Sequence, residues 1–156
     1  MHATLRSQLL QTLRARRDTI ADSWFKAVAH TSFVPLSTPE VRQRFVELTK
    51  QVVTLLLAEP FERCRAEAIG ASLVGLHYVQ PEALGRTLEV LAHRLVEGLP
   101  ADQVVVLQPR LAALLGGLAA GFFHQARETI LAEQEQIRRA LITERKRAEK
   151  ALQLRN

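Results

Sequence analysis

The sequence predicts an all-α protein. Apolar residues recur at helical spacing along nearly the whole chain. No segment alternates with period two for long enough to make a strand, and the seven glycines and six prolines stand apart as punctuation rather than in turn-rich clusters. With 156 residues, 47% of them hydrophobic and 24% charged, the chain is long enough to bury a core and ordinary in its balance.

The first element is expected over Leu5, Leu9, Leu13, Ile20, Trp24 and Ala27, which share helical spacing. The gap in that stripe at Arg16 and Arg17 predicts an exposed stretch of the same helix. Thr31 to Pro35 breaks the pattern. Ser37-Thr38-Pro39-Glu40 is a start signal, with Glu40 placed for a capping box and Pro39 near the first helical position. Val41, Phe45, Leu48, Val52 and Leu55 then form one stripe, ended by Glu59-Pro60. A third helix is expected from about Phe61 to Leu76, with Ile69, Leu73 and Leu76 facing inward. Gln80-Pro81-Glu82 opens a fourth, striped by Leu84, Leu88, Leu91 and Leu95 and closed by Gly98-Leu99-Pro100. From Asp102 onward the only interruption is Pro109, which starts or kinks a helix. Leu107, Leu111, Leu114, Leu118 and Phe122 keep the period, and it continues through Ile130, Ile137 and Leu141 to Leu152. The expected architecture is a bundle of four to five helices with a long C-terminal helix.

That last helix is too long for its own domain. From Pro109 to Arg155, at 1.5 Å per residue, it spans about 70 Å. A compact globule of this chain length is only about 40 Å across. Composition shifts where the helix must leave: Leu111–Phe123 is almost wholly apolar, whereas Glu133–Arg155 is charged with a thin seam. The chain therefore divides into a helical bundle, residues 1–130, and a C-terminal helix, residues 131–156, that runs beyond it. Ile130, Ile137, Leu141, Ala148 and Leu152 lie near a heptad register, interrupted by Gln134 and Glu144. A narrow apolar stripe on a polar helix calls for a partner helix, most simply its own copy in a parallel homodimer. An exposed single helix held by its charge pairs is the alternative.

Net charge is +5, and its location matters more than its size. Residues 1–36 and 130–156 each carry a net +3, while the centre is close to neutral. The bases interleave with acids, and only 5% of residues are aromatic, so neither a basic face nor a stacking platform for nucleic acid stands out. Charge enters within the first twenty residues, which argues against a secretory leader. The most apolar run, Leu111–Phe123, falls short of the roughly 20 residues of a membrane span. A cytoplasmic location without membrane contact is expected. The single cysteine, Cys64, excludes an intramolecular disulfide and a CxxC metal site.

The segment Ile142-Thr143-Glu144-Arg145-Lys146-Arg147-Ala148-Glu149-Lys150-Ala151-Leu152 resembles the linker of bacterial PAS-containing sensor proteins. That linker joins sensory modules to one another and onward to histidine kinase or cyclic-dinucleotide domains. The resemblance implies that residues 1–130 are a sensory module and that a PAS, GAF or kinase module follows. Asp22-Ser23-Trp24-Phe25, together with Ile69-Gly70 and Pro81-Glu82-Ala83-Leu84, is similar to the helical N-terminal domains of RsbR-type stressosome co-antagonists. Some of those have a globin-like fold without haem. Globin-coupled sensors of similar spacing carry their haem-binding histidine a couple of turns before the proline. Here that neighbourhood reads Leu73-Val74-Gly75, with His77 displaced, so no cofactor is expected.

Candidate chemistry is sparse. His2, His30, His77, His93 and His124 form no metal pair at helical spacing. His77, followed by Tyr78 at the end of an apolar helix, is the best single candidate for ligand contact, and its competing role is closing that helix. His124 stands where a phospho-acceptor histidine would, but Gln125 follows it in place of an acid. Gly117 and Gly121, with Ala68, Gly70, Ala71, Ser72 and Gly75, predict two helices in close contact. A small apolar cavity walled by Trp24, Phe122 and Phe123 is the alternative. Cys64 between Arg63 and Arg65 is either a redox-responsive thiol or a small surface residue. No nucleophile–base pair, phosphate loop or carboxylate pair points to an enzyme. The sequence thus reads as a non-catalytic input and dimerisation domain of a two-component type signalling protein. The alternative is a haem or small apolar ligand sensor.

Overall fold

A computed structural model describes residues 1–155. Six helices follow one another among these residues: α1 (Ala3–Ala15), α2 (Arg17–Val28), α3 (Thr38–Leu56), α4 (Arg63–Gly75), α5 (Pro81–Arg94) and α6 (Ala101–Arg155). The described residues contain no strand.

The first expected helix is two. The chain leaves helical geometry at Arg16, whose backbone sits at φ −97° and ψ −2°, and the Arg16 guanidinium donates to the carbonyl of Glu97 beyond α5. Arg16 and Arg17 are half-buried rather than exposed. The break re-aims the stripe, so that Leu9 and Leu13 on α1 and Ile20 and Trp24 on α2 all reach the core. This split raises the helix number above the expected four to five.

Ser37 caps α3 as its sequence predicts, its hydroxyl accepting from the Glu40 N–H at 3.4 Å. The far end of α3 is closed by arginines from other helices. Arg110 donates to the carbonyls of Leu56 (3.2 Å) and Ala58 (2.8 Å), and Arg6 to that of Leu57 (2.6 Å). Cationic donors here satisfy the carbonyls that every helix C-terminus leaves without a partner.

Helix α4 ends in a Schellman motif. The His77 N–H returns to the Val74 carbonyl (2.9 Å) and the Tyr78 N–H to that of Leu73 (3.0 Å). His77 therefore adopts φ +74°, a conformation that usually falls to glycine, and it points to solvent while Tyr78 swings into the core.

The core centres on three aromatic rings. Trp24 and Phe45 meet edge to face at 5.1 Å, and Phe45 and Tyr78 at 5.6 Å. The inward face of α5 is Ala83, Thr87, Leu91 and Leu95, with Leu84 and Leu88 only half-buried. Thr87 is drawn inside because its hydroxyl accepts the buried indole N–H of Trp24 at 2.9 Å. Leu76, expected to face inward, is also half-buried.

Helices α4 and α6 approach backbone to backbone. A Cβ on Gly121 would lie 2.5 Å from the Cα of Glu67, and one on Gly70 would lie 2.6 Å from the backbone nitrogen of Phe122. Glycine is required at both positions by this proximity. Close packing, rather than a cavity, is what Gly70, Gly117 and Gly121 build, whereas Ala68, Ser72 and Gly75 on α4 are exposed. Beside Gly117 and Gly121 on the same side of α6, Leu107, Leu111, Leu114, Leu118 and Phe122 place the helix in the core.

Candidate functional site: the outward face of the long helix

Beyond the α4 contact, α6 runs clear of the bundle. Every residue from Ile130 to Arg155 is exposed. At 3.6 residues per turn, Ile130, Ile137, Leu141, Ala148 and Leu152 fall within an arc of about 60° on one face. Ile137 is 61% and Leu141 62% exposed, far beyond what an apolar side chain in a packed helix shows. The rest of this stretch is held by ion pairs along the helix itself: Arg138 and Arg139 with Glu135 at 3.8 and 3.3 Å, and Arg145 with Glu149 at 3.5 Å. Such pairs at i, i+3 and i, i+4 each add about 0.2–0.5 kcal/mol. They support the helix without covering its apolar seam.

Where α6 leaves the bundle, a groove of about 660 Å³ opens between it and the start of α5. Its apolar wall includes Val79, Pro81, Leu84, Phe122, Phe123 and Ile130, with Arg127, Glu133 and Gln134 also on its lining. Phe122 belongs to the core, whereas Phe123 is 71% exposed. Trp24 does not line this groove; its ring is wholly buried against Phe45 and Thr87. The structure thus does not bring Trp24, Phe122 and Phe123 around one cavity.

The remaining candidate residues are dispersed. His2, His30, His77, His93 and His124 are all exposed, and His93 faces Glu97 at 3.7 Å. Burial raises the proton affinity of the Tyr78 phenol. Cys64 is exposed at the start of α4. Among the described residues no group of three or more His, Cys, Asp or Glu is placed to hold a metal ion.

No family model matches the chain, and no curated protein or solved structure matches it significantly.

The arginines that close α3 and α5 carry no signal in the sequence. Their partners are carbonyls more than fifty residues away, and no local pattern announces such a pairing. The apolar run Leu111–Phe123 is by itself shorter than a bilayer span. Helix α6 begins at Ala101, and an 18-residue window within it reaches a mean hydropathy of 1.6. By length and composition that window could cross a membrane. Core helices pass the same test, and a third of the window (33%) is buried against the bundle.

Proposed function

We propose that this chain is a non-catalytic input and dimerisation domain of a bacterial signal-transduction protein. Its C-terminal helix pairs with that of a second copy in parallel and passes signal to a downstream PAS or histidine kinase module. The observation that carries this reading is the exposed stripe Ile130–Ile137–Leu141–Ala148–Leu152 on a helix that outruns its bundle. An apolar seam of this width on a charged helix is stabilised by a partner helix and by little else. The resemblance of Ile142–Leu152 to the linker of PAS-containing sensors supports the direction of the signal. The likeness to stressosome co-antagonists supports a globin-like arrangement of the bundle. Signal would pass as a small rotation or shift of the paired helices, biased by the bundle.

The experiment is a phase test. The chain is joined through α6 to a dimeric histidine kinase module, and one to seven alanines are inserted after Glu133. Output should rise and fall with helical phase and return near its starting level at seven inserted residues, about two turns. Output that ignores the insertions would defeat the reading.

A further inference from the structure

The outward face of α6 does not begin at Ile130. Going back along the helix in steps of seven, Ile137 and Ile130 are followed by Phe123 and Gly116, all on one side. Val105 and Ala112 share the same arc of about 60°, on the side away from the buried residues Leu107, Leu111, Leu114 and Leu118. Val105 is 70% exposed, and Ala112, Gly116, Ala120 and Phe123 are exposed as well. Between Val104 and His124 the only charged residue is Arg110, and it is turned aside to the end of α3. A helix whose outer face met only water would be polar there.

We propose that a second copy of this chain lies along this whole face, from Val105 to Leu152, so that the bundles as well as the tails are joined by one continuous parallel helix pair. This rests on the homodimer reading above and extends it to the bundle.

Gly116 supports the occupant. Glycine is unfavourable in a helix interior, and nothing lies within 4 Å of where its Cβ would stand, so packing in the bundle does not account for it. Flanked by Ala112 and Ala120 on the same side, it lets a second helix backbone come close. Surface area agrees in size. The chain exposes 9900 Å² for its 17.5 kDa, against roughly 7,900 Å² for a compact monomer of that mass. The excess, about 2,000 Å², exceeds the ~800 Å² per partner of a standard stable interface.

One cross-seam pair fits the parallel direction. With Gly116, Phe123, Ile130 and Ile137 at heptad position d and Leu141 and Ala148 at a, Arg127 and Gln134 also fall at a and Leu152 at e, while Glu133 takes g and Arg138 takes e. In a parallel pair these two meet across the seam. Glu144, the acidic interruption at d, then lies beside Arg145 of the other copy. Turned antiparallel in the register that joins Leu131 to Leu152, Arg138 would face Arg145.

The test uses the full chain with Cys64→Ser, carrying one new cysteine at a time: Gly116→Cys, Ala112→Cys or Ile137→Cys. Each site is exposed, so the fold tolerates it. Under mild oxidation, Gly116→Cys and Ile137→Cys should both give disulfide-linked dimers, and in a separate chain Phe123→Glu should raise the dimer dissociation constant at least tenfold. A cross-link at Ile137→Cys with none at Gly116→Cys or Ala112→Cys, in a chain of dimeric mass, would overturn the extension and leave the tail dimer standing. A monomeric mass with no cross-link anywhere would overturn both. A monomer that partitions onto phosphatidylcholine vesicles would assign the face to lipid and overturn both as well.

Discussion

The indole N–H of Trp24 donates to the hydroxyl of Thr87 across 2.9 Å, with both side chains buried. This bond joins α2 to α5 inside an otherwise apolar core and fixes which face of α5 turns inward. A buried donor that loses its acceptor keeps the full cost of leaving water, about 1–3 kcal/mol. Thr87→Val keeps the shape and removes the acceptor, so it should lower unfolding free energy by that amount in urea titrations. Thr87→Ser should recover most of the loss. Equal stability of Thr87→Val and the parent would mean that the bond contributes nothing.

Backbone contact between α4 and α6 gives the second expectation. Gly121→Ala would drive a methyl into the Glu67 backbone, and overpacking of this kind costs about 1–3 kcal/mol or more. Gly85→Ala, on an exposed part of α5 with open space around it, should instead gain up to about 1 kcal/mol from helix propensity. Thermal melts of the two variants should move in opposite directions.

At the end of α4 the backbone of His77 sits at φ +74°. The left-handed conformation costs a non-glycine residue roughly 1–2 kcal/mol. His77→Gly should raise stability by about 1 kcal/mol, and a β-branched His77→Val should lower it. A His77→Gly chain that melts lower would show that the imidazole contributes more than its backbone strain costs.

These positions show what the sequence carries and what it hides. The α6 stripe, Phe45 and its neighbours on α3, and the glycine contact all rest on local periodicity or composition, and all are read directly. The break at Arg16 depends on the Glu97 carbonyl, eighty-one residues away, so the period alone reads through it as one helix. Thr87 displaces the expected Leu84–Leu88 face because Trp24 needs an acceptor. That demand is invisible until the two helices are side by side. Trp24, Phe122 and Phe123 share only their chemistry: Trp24 is buried against Phe45 and Thr87, and Phe122 and Phe123 point to different sides of one helix.

Three carboxylates gain from the fold in their ionised form. Asp22 is held below its usual range by its hydrogen bond to Lys26 and by Arg42. Glu59 is lowered by the N-terminal amine and Arg110, and Glu97 by Arg94. A lowered folded-state value means stability that is fully present above the unfolded-state values and is lost as pH falls through the folded-state ones. The urea midpoint should therefore be flat near neutrality and decline below about pH 4.5. Glu59→Gln should reduce the acid slope while lowering the midpoint at pH 7. An unchanged slope would remove Glu59 from the account.

The tail of α6 supplies the last expectation. Residues 131–155 are all exposed, and beyond the groove at Gln134 this helix has only its ion pairs and its propensity to hold it. Such a tail has little to stabilise it in water, since most helical stability in proteins comes from packing an apolar face. If Ile137 and Leu141 meet a partner, tail helicity depends on association. Dilution to submicromolar concentration, or Leu141→Asp at any concentration, should lower the mean helical ellipticity, while the melting transition of the bundle keeps its cooperativity. Ellipticity that is independent of both would show a helix stable by itself, and the apolar seam would then have no structural need of a second copy.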